Sequence, residues 1–225
     1  MDAFNKLAEM FRSLPGIGPR QAKRFVYFLL SRDPSFLEEM TKLISTLKQE
    51  TVQCPECFRY FGNPSSRAKL TTGQGAACSI CTDLNRNTGE LMVVAKDTDL
   101  EAMEKSGTYQ GKYFVLGGTL ALIERKNADK LRFKELTGRV SRSVTPASSS
   151  VIPAKAGIQS SSPLKEIILA LSANPDGEHT ADELKILLKP FSLKMSTLGR
   201  GLSTGSELEY ADKETLKSAL QNRSV

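Results

Sequence analysis

Two short strings, Cys54-Pro55-Glu56-Cys57 and Cys78-Ser79-Ile80-Cys81, hold all 4 cysteines of this 225-residue chain. Two residues separate the members of each pair, and 20 residues separate the two pairs. This C-x2-C…C-x2-C spacing is typical of a tetrahedral zinc site, in which two tight turns present four sulfur atoms to one ion. We therefore predict one structural Zn²⁺ per chain, held by the four cysteine thiolates.

Two disulfides, or four unrelated buried thiols, are the alternatives. No stretch resembling a secretory signal precedes the motif, because Met1-Asp2-Ala3-Phe4-Asn5-Lys6 runs directly into an amphipathic segment. A reducing compartment disfavours disulfides. No apolar run approaches the roughly 20 residues that a bilayer crossing needs. With 40% hydrophobic and 25% charged residues, the composition is that of an ordinary globular protein, and we expect a cytoplasmic protein with no membrane partner.

Positive charge is concentrated near the start of the chain. The net charge is +6, and the stretch from Met10 to Arg32 contains 5 basic residues and no acidic one. Residues 89–225, by contrast, hold 19 basic and 17 acidic residues. A local positive field favours a polyanionic partner, of which nucleic acid is the commonest. The alternative interpretation is a solvated helix face without a ligand.

The hydrophobic pattern predicts helices followed by an alternation of strands and helices. Apolar side chains at helical spacing predict three N-terminal helices, at about 3–13, 22–30 and 36–47. Short apolar runs predict buried strands at 91–95, 113–116 and 166–171. Further helices are predicted from a capping box of Thr98 and Glu101, and at 180–188 and 213–221. Strands that alternate with helices favour a mainly parallel sheet.

The string Leu14-Pro15-Gly16-Ile17-Gly18-Pro19-Arg20 joins the first two predicted helices. Glycines permit a tight turn, and proline suits the first position of a helix because its missing N–H would be unpaired there. The amides at such a helix start form an anion site. We predict that phosphates bind here, with the site formed by Gly16, Gly18, Arg20, Lys23 and Arg24. A plain helix–helix turn is the alternative.

The string 14–22 is similar to the helix-hairpin-helix of the RecR family of bacterial recombination mediators. The resemblance continues in order through the cysteine pairs, the string Cys78–Asp83, and residues 108–116 and 208–216. It covers nearly the whole chain except 143–163 and part of the loop between the cysteine pairs. Several independent strings in the family's order make the resemblance specific.

The resemblance implies an α+β multidomain fold. Its parts would be an N-terminal helical hairpin, a small four-cysteine zinc knot, an α/β Toprim domain with a mainly parallel sheet, and a C-terminal helix. The expected boundaries are 1–52 for the helix-hairpin-helix region, 53–85 for the zinc finger, 89–205 for the Toprim domain and 206–225 for a C-terminal oligomerisation segment. Residues 143–163 contain 7 serines and 3 prolines, so we predict a disordered insertion there that tolerates deletion.

The resemblance also implies a function. Members of the family bind DNA, assemble into homo-oligomeric rings, and work with RecO and, in some lineages, RecF to load the recombinase onto single-stranded gaps. The basic residues with which the family contacts DNA fall on Arg20 and Arg24. The expected function is therefore a non-catalytic mediator of recombinational DNA repair that binds gapped, single- or double-stranded DNA.

One position departs from the family in a way that bears on catalysis. The acidic residue that normally ends the first Toprim strand is Ala95 here, which removes the group a phosphoryl-transfer reaction would need. Asp176 and Glu178 could still hold Mg²⁺ weakly or contact a partner's cations, or could simply belong to a polar loop. A Mg-dependent Toprim nuclease or strand-transfer enzyme is thus the alternative function, and an interaction scaffold that uses residues 143–163 is a third.

Overall fold

A computed structural model of the chain describes residues 2–63, 77–121, 131–144, 163–199, 201 and 213–221. The chain divides into two compact units. The first unit comprises Met1–Val52 with Gly62–Leu70, and the second comprises Gln53–Phe61 with Thr71–Val225. None of the described helices has both the length and the apolarity that a membrane crossing requires.

The first unit contains the three predicted N-terminal helices, α1 (Ala3–Arg12), α2 (Pro19–Leu30) and α3 (Pro34–Glu50). The Asp2 carboxylate caps α1 by accepting the N–H of Asn5 at 2.9 Å. Proline begins both α2 and α3, where the missing N–H has no helical partner to lose. Local sequence signals therefore explain where each helix begins.

Small side chains allow α1 and α2 to pack closely as a helical hairpin. Ala8 on α1 and Ala22 and Val26 on α2 are buried. Two aromatic pairs flank this contact: Phe4 with Tyr27, with ring centroids 5.0 Å apart, and Phe11 with Phe25, at 5.6 Å. The prediction of an N-terminal helical hairpin is confirmed.

The second unit is built on a four-stranded sheet in which every pairing is parallel. Its strands, in the spatial order β4-β3-β5-β6, are β4 (Gly111–Val115), β3 (Asn87–Val94), β5 (Glu166–Ala170) and β6 (Lys194–Thr197). A separate short pair consists of β1 (Thr51–Gln53) and β2 (Tyr60–Gly62). The helices are α4 (Ser79–Thr82), α5 (Asp97–Ser106), α6 (Phe133–Val144), α7 (Pro175–Leu188) and α8 (Lys213–Gln221), with a 3-10 turn at Lys189–Phe191.

The predicted α/β sheet is confirmed, but several elements of the structure were not predicted. The pattern of apolar residues did not predict β1 and β2, the short helix α4, helix α6 or the edge strand β6. Strand β6 is short and only partly buried, so it lacks the apolar run by which the other strands of the sheet are recognised. Helix α6 buries only Leu136 and Val140, one helical turn apart, which is a weak pattern in a serine- and arginine-rich stretch.

Alternate residues of β3 supply two separate cores, one on each face of the sheet. Leu91 and Val93 pack with residues of α6 and α7, including Leu136 and Leu184. Met92 and Val94 point the other way, into a cluster that contains Leu100 and the buried cysteines Cys54, Cys57 and Cys78. The cysteine cluster therefore packs against one face of the sheet.

Two helix starts differ from the prediction. Helix α5 begins at Asp97, and the Asp99 carboxylate accepts the N–H of Lys96 at 3.0 Å, so the predicted capping box of Thr98 and Glu101 is wrong. Helix α7 begins at Pro175, five residues before the predicted start, because the side chain of Asn174 accepts the N–H of Gly177 at 2.8 Å.

Most of the predicted insertion, residues 145–162, lies outside the described residues. Its first two positions do not belong to it, because Ser143 and Val144 are the last residues of α6. The N–H of Leu164 donates to the carbonyl oxygen of Ser143 at 3.3 Å, so the residues on the two sides of this segment are next to each other. A short linker is therefore long enough to join its two ends.

We expect the fold to survive replacement of residues 145–162 by two glycines, because the flanking backbone atoms are already within hydrogen-bonding distance. The melting temperature of the shortened protein should stay within about 4 °C of the original, which corresponds to about 1 kcal/mol for a chain of this size. Thermal denaturation followed by circular dichroism measures this. A fall of more than about 10 °C would show that the segment contributes to the core.

Candidate metal centre and nucleic-acid interface

The first cysteine pair lies on a tight turn that follows β1. The N–H of Cys54 donates to the carbonyl of Arg59, and the N–H of Phe58 donates to the carbonyl of Cys54, both at 2.9 Å. Phe58 has φ of +62°, a left-handed conformation that costs a non-glycine residue free energy. Contacts of its ring with Phe114, at 5.3 Å between centroids, and with the Arg132 guanidinium, at 5.5 Å, hold it there.

The second pair lies at the start of the single-turn helix α4 and closes onto the first. The N–H of Cys78 donates to Sγ of Cys54 at 3.4 Å, and Sγ of Cys57 lies 3.5 Å from Sγ of Cys78. All four Sγ atoms lie within 4.8 Å of one another. A tetrahedron of sulfurs about 2.3 Å from a central zinc ion has edges of about 3.8 Å, so the cluster fits such an ion.

The alternative of two disulfides does not describe this cluster. All four cysteines are free, and the 3.5 Å separation of the Cys57 and Cys78 sulfurs is far beyond the roughly 2.05 Å of a disulfide bond. Four unrelated thiols are also not what the structure has, since the sulfurs converge on one centre. The structure therefore confirms the predicted four-cysteine cluster, which could hold a metal ion.

The four thiols influence one another's ionisation. Hydrogen bonds from Cys57, Cys78 and Cys81 lower the pKa of Cys54 well below its ordinary value. The corresponding hydrogen bond with Cys54 raises the pKa of Cys57 far above it. Four sulfurs this close, three of them on buried cysteines, cannot all ionise without a counter-charge, and a divalent cation at their centre would provide one. Four thiolates would fill a tetrahedral shell and leave no position for water.

Strand β4 fixes the position of the cluster, through a lysine that sequence reasoning missed. The ammonium group of Lys112 donates to the carbonyls of Ile80, Cys81 and Asp83 at 3.0, 3.1 and 2.7 Å. The backbone N–H of Val115 donates to the carbonyl of Cys57 at 2.8 Å. One strand thereby binds both cysteine pairs. No local pattern around Lys112 announces this role, because its three acceptors lie about 30 residues away in sequence.

A second cation holds the first pair from helix α6. The Arg139 guanidinium donates to the carbonyl of Glu56 at 2.5 Å and to the carbonyl of Tyr113 at 2.8 Å. It therefore links the turn between Cys54 and Cys57 to the backbone of β4. Hydrogen bonds from a charged donor are about twice as strong as neutral ones, so Lys112 and Arg139 brace the cluster at its two ends.

We expect Lys112→Met to lower the free energy of unfolding by about 1.5–3 kcal/mol, since methionine keeps the apolar stem but loses the charged donor. Lys134→Met is the matched control, because Lys134 is exposed on α6 of the same unit. Urea denaturation of both variants measures the difference. Equal stability of the two variants would show that the contacts of Lys112 do not support the cluster.

The loop of the helical hairpin has the features of a type II turn. The N–H of Ile17 donates to the carbonyl of Leu14 at 3.2 Å, which places Pro15 and Gly16 at the two central positions. Gly16 has φ of +78°, as the third position of such a turn requires. Gly18 differs from Gly16: its φ is −83°, and it serves as the extended N-cap residue of α2. Only Gly16 therefore needs glycine for its backbone conformation.

The start of α2 presents amides and cations on one exposed surface. No side chain caps the helix, so the N–H groups of its first turn remain available to an anion. Arg20, Lys23 and Arg24 are all exposed, and their spacing of three and four residues places them on one face of the helix. The structure therefore places the five predicted phosphate-site residues on one turn and the helix start that follows it. Their role in binding stays a prediction.

Comparison with known proteins agrees with these observations. Residues 4–49 match the family described as "RecR, helix-hairpin-helix", residues 89–198 the "Toprim domain" and residues 201–224 "RecR, C-terminal". The curated "Recombination protein RecR" of Herpetosiphon aurantiacus is 34% identical over 218 residues, which is 97% of this chain and 92% of that protein. The chain belongs to the RecR family.

Relatives from other bacteria give the same result. The protein of that name from Lactobacillus acidophilus is 33% identical over 97% of this chain and 95% of its own length. The one from Chlorobium phaeobacteroides is 30% identical over 99% of this chain and 97% of its own length. The similarity thus extends along nearly the whole chain, as the resemblance predicted.

Within this RecR-family fold, the position after β3 carries no acid. Ala95 is buried, and its carbonyl accepts the N–H of Gly117 at 2.9 Å. Among the described residues, the only group of three or more potential metal ligands is the cysteine cluster.

Asp176 and Glu178 lie in the first turn of α7 rather than in a loop, so the interpretation of a polar loop is wrong. Acidic groups there interact favourably with the positive end of the helix dipole. Glu178 also lines a cleft of about 560 Å³ at the carboxyl ends of β5 and β6, together with Asp182 and Lys185. Binding of Mg²⁺ or of a partner by Asp176 and Glu178 stays a prediction.

Proposed function

We propose that this protein is a non-catalytic, DNA-binding mediator of recombinational repair that helps to load a recombinase at single-stranded gaps. Membership of the RecR family and the printed name of its relatives, "Recombination protein RecR", support this role. The observation that carries the proposal is the exposed start of α2, where uncapped amides and Arg20, Lys23 and Arg24 share one surface.

The chemistry of that surface suits a phosphate backbone better than other anions. The backbone amides at a helix start can bind one phosphate group. Arginine side chains can bind the next phosphate along the strand through bidentate hydrogen bonds. No acidic residue lies between Met10 and Arg32 to compete for these cations. Contacts of this kind position a protein on DNA without reading its base sequence. Gly16 and Gly18 would shape the loop, and Arg20, Lys23 and Arg24 would hold the strand.

Absence of catalysis is part of the proposal. The buried methyl group of Ala95 occupies the place at which a Toprim enzyme needs a proton-transferring carboxylate. We propose that Asp176 and Glu178 serve as a weak Mg²⁺ site or as a contact for a partner's cations. RecO and, in some lineages, RecF are the partners that family membership suggests.

Self-association into a ring is supported by an apolar face in the first unit. Helix α3 has no buried residue, and Leu43, Ile44 and Leu47 are each about 60% exposed. These side chains recur at helical spacing, so they form one stripe along α3. An exposed stripe of this kind favours contact with another protein surface, and a second copy of the chain is the occupant that the family suggests.

We propose that the metal of the four-cysteine cluster is zinc and that its role is structural. The sulfur ligands and the tetrahedral fit favour Zn²⁺. Zinc analysis should find about one equivalent per chain, and Cys54→Ser should lose the ion and most of the folding free energy coupled to it, about 10–16 kcal/mol in small zinc domains. Ser79→Ala, between the second pair of cysteines, is the control that should keep both. A stable, metal-free protein would contradict the assignment.

The DNA-binding proposal is tested by reversing two charges, Arg20→Glu with Arg24→Glu. We expect binding to fall below detection at 0.15 M salt while the zinc content stays unchanged. Lys42→Glu with Lys48→Glu, on exposed positions of α3, alters the net charge equally and should leave binding in place. For the unaltered protein, affinity should fall steeply with salt. On single strands, each phosphate contact should lower the logarithm of the binding constant by about 0.7 for every tenfold rise in salt concentration.

The same samples test the absence of catalysis. Labelled DNA incubated with the unaltered protein and Mg²⁺ should remain uncut. Specific cleavage that disappears in Asp176→Ala would overturn the non-catalytic assignment, and normal DNA binding by the Arg20 and Arg24 double variant would overturn the hairpin assignment.

A further inference from the structure

A groove of about 410 Å³ runs along one face of α2, beside the proposed phosphate site. It is lined by Gln21, Arg24, Phe25 and Phe28. The spacing of these residues, three, four and seven positions apart, puts them on the same side of the helix. Phe25 is 40% exposed and Phe28 is 44% exposed, although both are large apolar side chains.

The two rings are held in place even though they are exposed. Phe25 contacts Phe11 edge to face, with centroids 5.6 Å apart, and Phe28 contacts Phe36 edge to face at 6.2 Å. Edge-to-face pairs stabilise a defined ring orientation. The groove therefore presents aromatic surfaces that are ordered before any ligand arrives, which lowers the entropic cost of binding.

Cations alternate with the aromatic rings along this face. Arg24 lines the groove, Phe28 follows one turn later, and the guanidinium of Arg32 lies 4.2 Å from the centre of the Phe28 ring. The absence of acidic residues between Met10 and Arg32 leaves the positive charge of these arginines unbalanced within that stretch. An aromatic surface flanked by arginines is complementary to an anion that also carries flat aromatic groups.

We propose that this groove binds unpaired bases of single-stranded DNA, which stack on Phe25 and Phe28 while Arg24 holds the adjoining phosphate. The inference rests on the proposed DNA-binding function and specifies the form of DNA that the hairpin prefers. A duplex keeps its bases stacked inside and offers only phosphates to such a surface, whereas a single strand offers both. Aromatic stacking tolerates every base, so the groove would not select a sequence.

A second copy of the chain is the competing occupant, and the charges disfavour it. A twofold contact through this face would place the same patch of each copy against the other. Arg24 of one copy would then approach the same arginine of the other, on a helix that contains no acidic residue. Like charges that face each other in an interface destabilise it.

The test compares two oligonucleotides of equal length, an oligothymidylate and an abasic strand that keeps the phosphates but lacks bases. We expect the full-length protein to bind the oligothymidylate at least about 5-fold more tightly than the abasic strand, and up to about 150-fold, as one stacked base would provide. Phe25→Leu with Phe28→Leu keeps apolar side chains but removes the rings, and should abolish this preference. The salt dependence of binding should not change, because the cations remain.

Tyr27→Leu is the matched control. Tyr27 is 63% exposed on the same helix, contacts Phe4 and does not line the groove, so its loss should leave the preference intact. The chain contains no tryptophan. Phe28→Trp therefore adds a single reporter, whose fluorescence should be quenched by the oligothymidylate and much less by the abasic strand.

Each contrary outcome has a distinct meaning. Equal affinity for the two oligonucleotides overturns the base-stacking inference, while the Arg20 and Arg24 variant still tests phosphate binding separately. A smaller oligomer for the Phe25 and Phe28 variant in sizing experiments, with an unchanged preference for bases, overturns the inference in favour of a contact between copies. Thermal denaturation of each variant shows whether a loss of binding comes from a loss of fold.

Discussion

The second unit depends on the convergence of four sulfur atoms within 4.8 Å of one another. Thiols this close to one another cannot ionise together unless a cation lies among them, so the cluster requires a metal to be stable as a set of thiolates. The cluster is also fastened to the sheet by backbone and charged hydrogen bonds from β4. On this face of the sheet the cysteines therefore pack together with Met92, Val94 and Leu100 in one core cluster.

The other constraints follow from where charge is placed and where it is missing. Cations gather at the first turn of α2, where helix amides already favour an anion. At the carboxyl end of β3, in contrast, the residue that follows the strand is Ala95, whose side chain is a buried methyl group. Under the proposed function, the protein binds DNA through its first unit, and the second unit keeps a Toprim sheet without the carboxylate that chemistry would need. In this proposal the first unit binds DNA and the second unit has a structural role.

Features that depend on a few neighbouring residues were predictable. A short stretch of sequence is enough to determine the local backbone conformation in three places: the C-x2-C pairs, the Pro15-Gly16 turn and the proline at the start of α2. The prediction failed where the deciding partner is distant or atypical. The carbonyls that Lys112 binds are about 30 residues away, and the start of α7 depends on Asn174 rather than on apolar spacing. Strand β6 is recognisable only by its pairing with β5.

The sequence by itself determined the cysteine cluster, the helical hairpin, the parallel sheet and the family, since all of these rest on local spacing or on strings of residues in order. Only the tertiary structure decided which faces remain exposed and which groups meet. It showed that Phe25 and Phe28 stay open beside Arg24, that Lys112 binds the second cysteine pair, and that Asp176 lies within a helix. The reason is that exposure and contact depend on how segments distant in sequence pack together. The spacing of apolar residues along one segment does not show which other segments will pack against it.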